Sequence, residues 1–209
     1  MRDNIMSHNQ TEIEVKLHTP DHTAIIARLN ALNADLVQAR IHEYNVRYDT
    51  DGALLERGEA LRLRRDGRIR LTYKGMKTFD QGLSHRQELE VDVSDFETMS
   101  LMLERFGYQP YMVYEKYRTT YQLHGAEIML DELPYGNFTE IEGETRAIHK
   151  VLQALSLEEV ERRSESYTRI FEFVKHHLEL NFRDLTFDNF KDVEVPESAF
   201  IPPGSIVIE

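Results

Sequence analysis

Two residue patterns in this chain have the types and spacing to do chemistry. One is a set of carboxylates two positions apart: Glu12 and Glu14, Glu88 and Glu90, Glu140 and Glu142. The other is a set of cations at the same spacing, Arg62 with Arg64 and Lys116 with Arg118, joined by Lys16, Arg70, Lys74 and Arg86. Side chains two apart on a strand leave the same face, so each pair projects together. Paired carboxylates on one face bind hard divalent cations, which in turn bridge phosphate oxygens. Clustered Arg and Lys cradle polyanions, Arg by forking onto phosphate oxygens and Lys as a point charge. Counting the one face, cations stand at eight positions and anions at seven, the seventh being Asp131. Near-balance leaves room for one highly anionic ligand with about two divalent ions. The pattern points to phosphate chemistry.

The elements that must position these residues are strands. Period-two segments fall at 11–18, 36–48, 59–65, 68–75, 86–93, 112–123, 126–131 and 138–143, punctuated by glycine turns. Eight strands joined largely by short turns predict an antiparallel sheet that closes or nearly closes. Their other phase (Ile13, Val15, Leu61, Leu63, Leu71, Leu89, Val91, Ile141) is apolar and needs cover. Amphipathic helices are expected over Asp21–Asn33, Ser94–Phe106, Glu144–Ser156 and Tyr167–Leu178 to supply it. A flat sheet with a solvated ionic face is the plainer alternative. It is disfavoured because the charges sort by sign within strands, which cross-strand decoration does not require.

Composition excludes other chemistries. With no cysteine there is no disulfide, thiolate metal site or cysteine nucleophile. The formal charge of −12 disfavours nucleic acid and anionic membrane as partners. No apolar run reaches the roughly 18 residues a membrane span needs, and MRDNIMSHNQ lacks a signal-like apolar stretch. The expectation is a cytoplasmic protein. Its first ten residues read as a flexible lead, 11–178 as one domain, and 179–209 as a tail packed on or capping it.

Taken in order, the blocks form a longer pattern. They are Glu12-Ile13-Glu14-Val15-Lys16, Ala60 to Arg64, Thr72 to Lys74, Arg86 to Glu90, Lys116 to Arg118, Asp131 to Glu142, and Ser166-Tyr167. This pattern resembles the CYTH family, the triphosphate tunnel metalloenzymes. The resemblance implies an α+β fold, an eight-stranded antiparallel β-barrel forming a tunnel with helices packed outside. It implies that Lys16, Arg62, Arg64, Lys74, Arg86, Lys116 and Arg118 grip a triphosphate-containing small molecule. It also implies that Glu12, Glu14, Glu140 and Glu142 hold Mg²⁺ or Mn²⁺, helped by Glu88, Glu90 or Asp131, with Glu12, Glu14 and Lys16 as the catalytic set.

Members of that family either hydrolyse small triphosphates or, as class IV adenylyl cyclases, convert ATP to cyclic AMP and pyrophosphate. The cyclase branch carries a His-Phe pair six residues before its ExExK, where this chain has Met6 and Ser7. That departure lowers the cyclase reading, whereas Tyr48-Asp49-Thr50 and Leu71 to Gly75 resemble the cyclase-like bacterial branch, and no Trp is present to stack a thiazolium or an adenine. Hydrolysis of a small triphosphate ranks first, with the cyclase next and a non-catalytic polyphosphate- or nucleotide-binding barrel third. A homodimer is compatible with the apolar surface such a barrel leaves.

Other signals are set aside. The nine histidines make no zinc spacing, and Asp49-Thr50-Asp51-Gly52 reads as a turn because it lacks the closing Glu of a calcium loop. No P-loop, dinucleotide fingerprint or nucleophile elbow occurs. Tyr73 and Tyr117 are expected in the core, and the Phe-rich tail is expected near one tunnel mouth.

Overall fold

The strand phases close on themselves. In the computed structural model, which describes residues 10–204, the elements run β1 (Gln10–His18), α1 (Thr23–Ala31), β2 (Asp35–Asp49), α2 (Ala53–Glu56) and β3 (Ala60–Arg65). Next come β4 (Ile69–Lys74), β5 (Thr78–Asp80), β6 (Leu83–Val93), α3 (Phe96–Arg105) and β7 (Gln109–Leu123). The chain continues through β8 (Ala126–Leu133), β9 (Gly136–Gly143), α4 (Thr145–Leu155), α5 (Tyr167–Leu178), α6 (Phe187–Phe190) and a 3₁₀ turn at Glu197–Phe200. All strand pairs are antiparallel, in the order β1-β9-β8-β7-β2-β3-β4-β6, and a β1–β6 pairing completes the circle. This is the expected eight-stranded barrel. The short β5 is an extra strand that folds back on the start of β6. The lead segment through residue 9, including Met6 and Ser7, lies outside the described residues.

Apolar side chains of the outward phase are covered in two patches. Val15, Leu17, Ile128, Leu130 and Ile141 pack under α1 and α4, which contribute Ile25 and Leu29 and then Ile148, Val151, Leu152 and Leu155. Val46, Tyr48, Leu61 and Leu63 pack under Leu54 of α2 and Phe96 and Leu103 of α3. Tyr48 therefore lies outside the barrel, its hydroxyl donating to Ser100 Oγ at 2.8 Å. The α3 helix starts cleanly because Asp95 accepts from Thr98 N–H at 2.8 Å. Asp49 accepts from the N–H groups of Thr50, Leu54 and Leu55, so the calcium-like stretch is a turn that caps α2.

Cover fails at one place the alternation expects it. Leu89 and Val91 on β6 are 39% and 52% exposed, whereas Val93 on the same face packs against the α3 cluster. Tyr73 and Tyr117 are likewise only half-buried rather than core. Tyr117 instead carries the Arg40 guanidinium over its ring, 3.5 Å from the centroid.

A third apolar cluster closes one end of the barrel. Met112, Leu133 and Phe138 belong to the same strand phase as the ionic residues, yet they are buried against Tyr167, Ile170, Phe171 and Val174 of α5. The chain beyond α5 finishes this plug with Leu185, Phe190 and Phe200. β8 pairs with β7 only from Tyr117 onward, which leaves the start of β7 as an open edge. Residues 184–185 cover it: Leu185 N–H donates to Val113 O and Glu115 N–H to Leu185 O, both at 2.9 Å. Among the described residues no helix is long and apolar enough to cross a membrane.

Candidate active site

The barrel encloses a cavity of about 1470 Å³. Eleven lysines and arginines and ten carboxylates line it, in a chain whose formal charge is −12. Of the residues singled out by spacing, Glu12, Glu14, Lys16, Arg62, Arg64, Arg70, Lys74, Arg86, Glu88, Glu90, Lys116, Arg118, Glu140 and Glu142 all reach it. The antiparallel register is what gathers them: Glu14 stands opposite Glu142, Lys16 opposite Glu140, Lys116 opposite Glu43, and Lys74 opposite Glu88.

Asp131 is the exception, since it does not line the cavity. It is fully buried in the wall, where Arg118 forks onto it with two bonds of 2.6 Å. Lys116 Nζ at 2.9 Å and the Tyr167 hydroxyl at 2.7 Å also donate to it. Four donor contacts thus converge on this one buried carboxylate, three of them on Oδ2. The spacing that placed Asp131 on the inward phase was right about the face and silent about depth.

Around Asp131 the buried charges form a continuous network. Glu43 accepts from Arg64 Nη1 at 3.2 Å and lies 3.6 Å from Lys116 Nζ. Glu140 pairs with Lys16 at 3.2 Å and accepts from Arg118 at 2.5 Å. Burial pushes Glu43 toward protonation, but Lys116, Arg118 and Arg64 overcome it and hold the carboxyl far below the ordinary value of 4.5. Burial likewise works against the charge of Lys16, and Glu140 and Glu14 restore it.

A depressed folded-state pKa contributes stability that is fully present above the unfolded value and is lost as pH falls through the folded one. We therefore expect the stability gap between the native protein and Glu43→Gln to be widest near neutral pH and to narrow below about pH 4.5. Urea midpoints for both proteins between pH 7 and pH 3 measure this; a gap independent of pH would contradict it.

At another part of the cavity carboxylates meet one another. Glu12 hydrogen-bonds both Glu88 and Glu142. Burial, then the charge of and hydrogen bond to Glu12, push Glu142 up to about 9. Burial and the hydrogen bond to Glu12 push Glu88 up to about 8. Burial also raises Glu12, but Lys74 and the bonds from its two protonated neighbours bring it down to about 2. Carboxyl oxygens such as these are the donors a hard divalent cation prefers. Among the described residues no three such groups form a ready-made cage. An ion there would be held by one or two carboxylates and completed by substrate oxygens and water, as Mg²⁺ commonly is.

A CYTH domain model matches residues 10–171. The chain belongs to the CYTH family. A Methanocaldococcus jannaschii protein, provisionally named an adenylate cyclase, is 29% identical over 133 residues, which is 63% of this chain and 75% of that one. A Pyrococcus horikoshii structure covers 77% of this chain and 98% of its own, at 26% identity and TM-score 0.65. A Vibrio parahaemolyticus structure, also provisionally named an adenylate cyclase, covers 78% and 98% at 22% identity and TM-score 0.68. A Hippeastrum protein, provisionally named an adenylyl cyclase and found to have a dominant triphosphatase activity, has a structure that matches over 77% and 95% at 23% identity and TM-score 0.60. The last two are likenesses of fold.

Within this CYTH barrel some cations are bound by carboxylates and others are not. Arg64 pairs with Glu43, Asp66 and Glu90, and Arg70 with Asp66 and Glu90. Arg62 is different: it donates to the Tyr114 hydroxyl at 3.1 Å, and its nearest carboxylate, Glu90, is 4.0 Å away. Arg47 has no carboxylate partner among the described residues, and both it and Arg62 bury an Nε without an acceptor. Arg86 donates to the carbonyls of Gly75 and Gly58 at 2.6 and 3.1 Å. Arg47, Arg62 and Arg86 are thus cavity guanidiniums without a close carboxylate partner among the described residues.

Reading for charged pairs missed Glu43, Arg47, Lys77 and Tyr114. Glu43-x-Asn45-x-Arg47 alternates like the others, but its central neutral residue and mixed signs hide it. Lys77 lies between β4 and β5, where no periodicity exists to find it; its Nζ donates to Glu14 at 3.0 Å.

Proposed function

We propose that this protein binds the triphosphate of a small molecule along its barrel and hydrolyses a phosphoanhydride bond there with Mg²⁺ or Mn²⁺. The observation that carries the reading is the cavity's internal division. Partly unpaired guanidiniums of Arg47, Arg62 and Arg86 line the same cavity as a corner of carboxyl groups crowded around Glu12. The guanidiniums match phosphate oxygens in geometry and charge. The carboxyl corner matches the divalent ion that such a ligand carries. When bound, the ion would polarise phosphoryl oxygens and offset charge on the leaving group.

The chain's own residues do the rest. Arg62 and Arg47 stand opposite each other on β3 and β2 and would grip the phosphate chain from adjacent strands. Lys74, beside Glu12 and Glu88, and Lys77, beside Glu14, would set negative oxygens next to the carboxylate corner. Lys16, held over the Tyr167 ring at 4.4 Å, remains a fixed positive charge at the deep end. Such preorganised charge costs no rearrangement when the transition state forms. Glu12 and Glu14 would hold the ion, and Glu140, already paired with Lys16 and Arg118, would orient those cations.

The test is product analysis with inorganic triphosphate and with ATP, each with Mg²⁺ or Mn²⁺. Phosphate plus pyrophosphate from triphosphate is the expected result, abolished by EDTA. Turnover undiminished in EDTA would overturn the metal assignment. Cyclic AMP from ATP would establish the second reading, a class IV adenylyl cyclase. The provisional names of similar proteins favour that reading, as does the apolar lining from Val37, Ile41 and Met129, which suits an organic group.

A further inference from the structure

The barrel wall has a seam. β1 pairs with β6 as far as Glu14, opposite Ser84, and beyond that point the strap between α4 and α5 takes β6's place. Arg163 N–H donates to Lys16 O at 2.8 Å, and Leu17 bridges to Arg162. Between hairpin and strap lies a separate cavity of about 130 Å³. Glu14, Lys16 and Lys77 line both this cavity and the large one, so they form the partition between the two.

The charge here is lopsided. Lys16, Lys77, Arg162 and Arg163 face the seam cavity, with Glu14 as the one carboxylate among the residues lining it. Glu14 is already engaged by Lys77 at 3.0 Å and Ser84 Oγ at 3.2 Å, and Lys16 by Glu140. Arg162 has no carboxylate partner among the described residues; its Nη1 donates to Gln81 O at 3.2 Å. It lies across Gly82, whose φ of +74° suits glycine and whose missing Cβ would stand 2.7 Å from that Nη1. Arg163 reaches only Glu161, itself 73% exposed, and buries an Nε with no acceptor. The cavity has the volume of about four water molecules at about 30 Å³ each, enough for one tetrahedral oxyanion but too small for a triphosphate.

We propose that the seam is a second anion site that takes a single inorganic phosphate on Arg162 and Arg163. It adjoins the tunnel at Glu14, Lys16 and Lys77. Its place as the first stop for released phosphate rests on the triphosphatase reading; its capacity to bind phosphate does not.

The test is phosphate titration of the full chain followed by backbone amide NMR in EDTA, with and without saturating tripolyphosphate. The amides of Gly82 and Ser164 shift with phosphate under both conditions. Affinity falls about tenfold in Arg162→Gln and in Arg163→Gln, the value of one charge-assisted contact, and holds in Arg163→Lys. Tripolyphosphate affinity changes less than about twofold in the same variants. Phosphate displaced one-for-one by tripolyphosphate, or undiminished binding in both Gln variants, would overturn the site. Failure of tripolyphosphate to bind at all would defeat the tunnel reading, while the phosphate shifts at Gly82 and Ser164 would still decide this one. In the metal-loaded enzyme, phosphate inhibits without competing with substrate; purely competitive inhibition would remove the seam from the release path.

Discussion

Asp131→Ala lowers the unfolding free energy by about 3–5 kcal/mol, the usual cost of removing one member of a buried ion network. The reason is what it leaves behind. Arg118 loses its two-pronged acceptor, Lys116 its closest carboxylate, and the Tyr167 hydroxyl its acceptor, all around a carboxylate that is itself fully buried. Tyr167 is also the first residue of α5, so the loss carries into the plug. Denaturant unfolding with and without Mg²⁺ measures it, and the deficit is the same in both. A deficit seen only as weaker Mg²⁺ dependence, in a protein of unchanged metal-free stability, would return Asp131 to the set of metal ligands.

The second large effect separates grip from scaffold. Arg62→Ala weakens tripolyphosphate binding in EDTA by about tenfold to a hundredfold, the span expected for hydrogen bonds between charged partners. Its stability changes little, because its partners in the free protein are two hydroxyls and a carboxylate at 4.0 Å. Arg64→Ala loses affinity and stability together, since Arg64 also neutralises Glu43, buried to 1% exposure. Calorimetric titration and urea melts of both variants give the comparison. If Arg62→Ala binds tripolyphosphate as the native protein does, the cation face is structural and the proposed substrate is wrong.

The face of each strand was legible because period two is a local property: any stretch that alternates Glu12-x-Glu14-x-Lys16 must put those three together. Closure was legible because eight such stretches with short turns have few other ways to hide their edges. What alternation cannot encode is position along the barrel axis. Asp131 and Glu140 share the inward phase, but one is sealed into the wall and the other reaches the cavity. Nor does it say what lies over the outer face: Leu89 and Val91 alternate as Leu61 and Leu63 do, yet the first two are exposed and the last two buried. Arg162 and Lys77 come from irregular segments, where only the folded chain brings them to the seam.

The cavity's near-neutral lining means that essentially all of the net charge of −12 sits on the outer surface and the ends of the chain. A long polyanion meets that acidic skin over its whole length and is repelled along it, with screening only beyond a Debye length of about 8 Å at physiological salt. A short one is repelled only on approach, because once inside it has left the repelling surface behind. On the proposed reading the barrel would act as a size filter for anions before any contact is made: its acidic skin would repel nucleic acids and long polyphosphate chains along their whole length, and the proposed three-phosphate ligand only on approach.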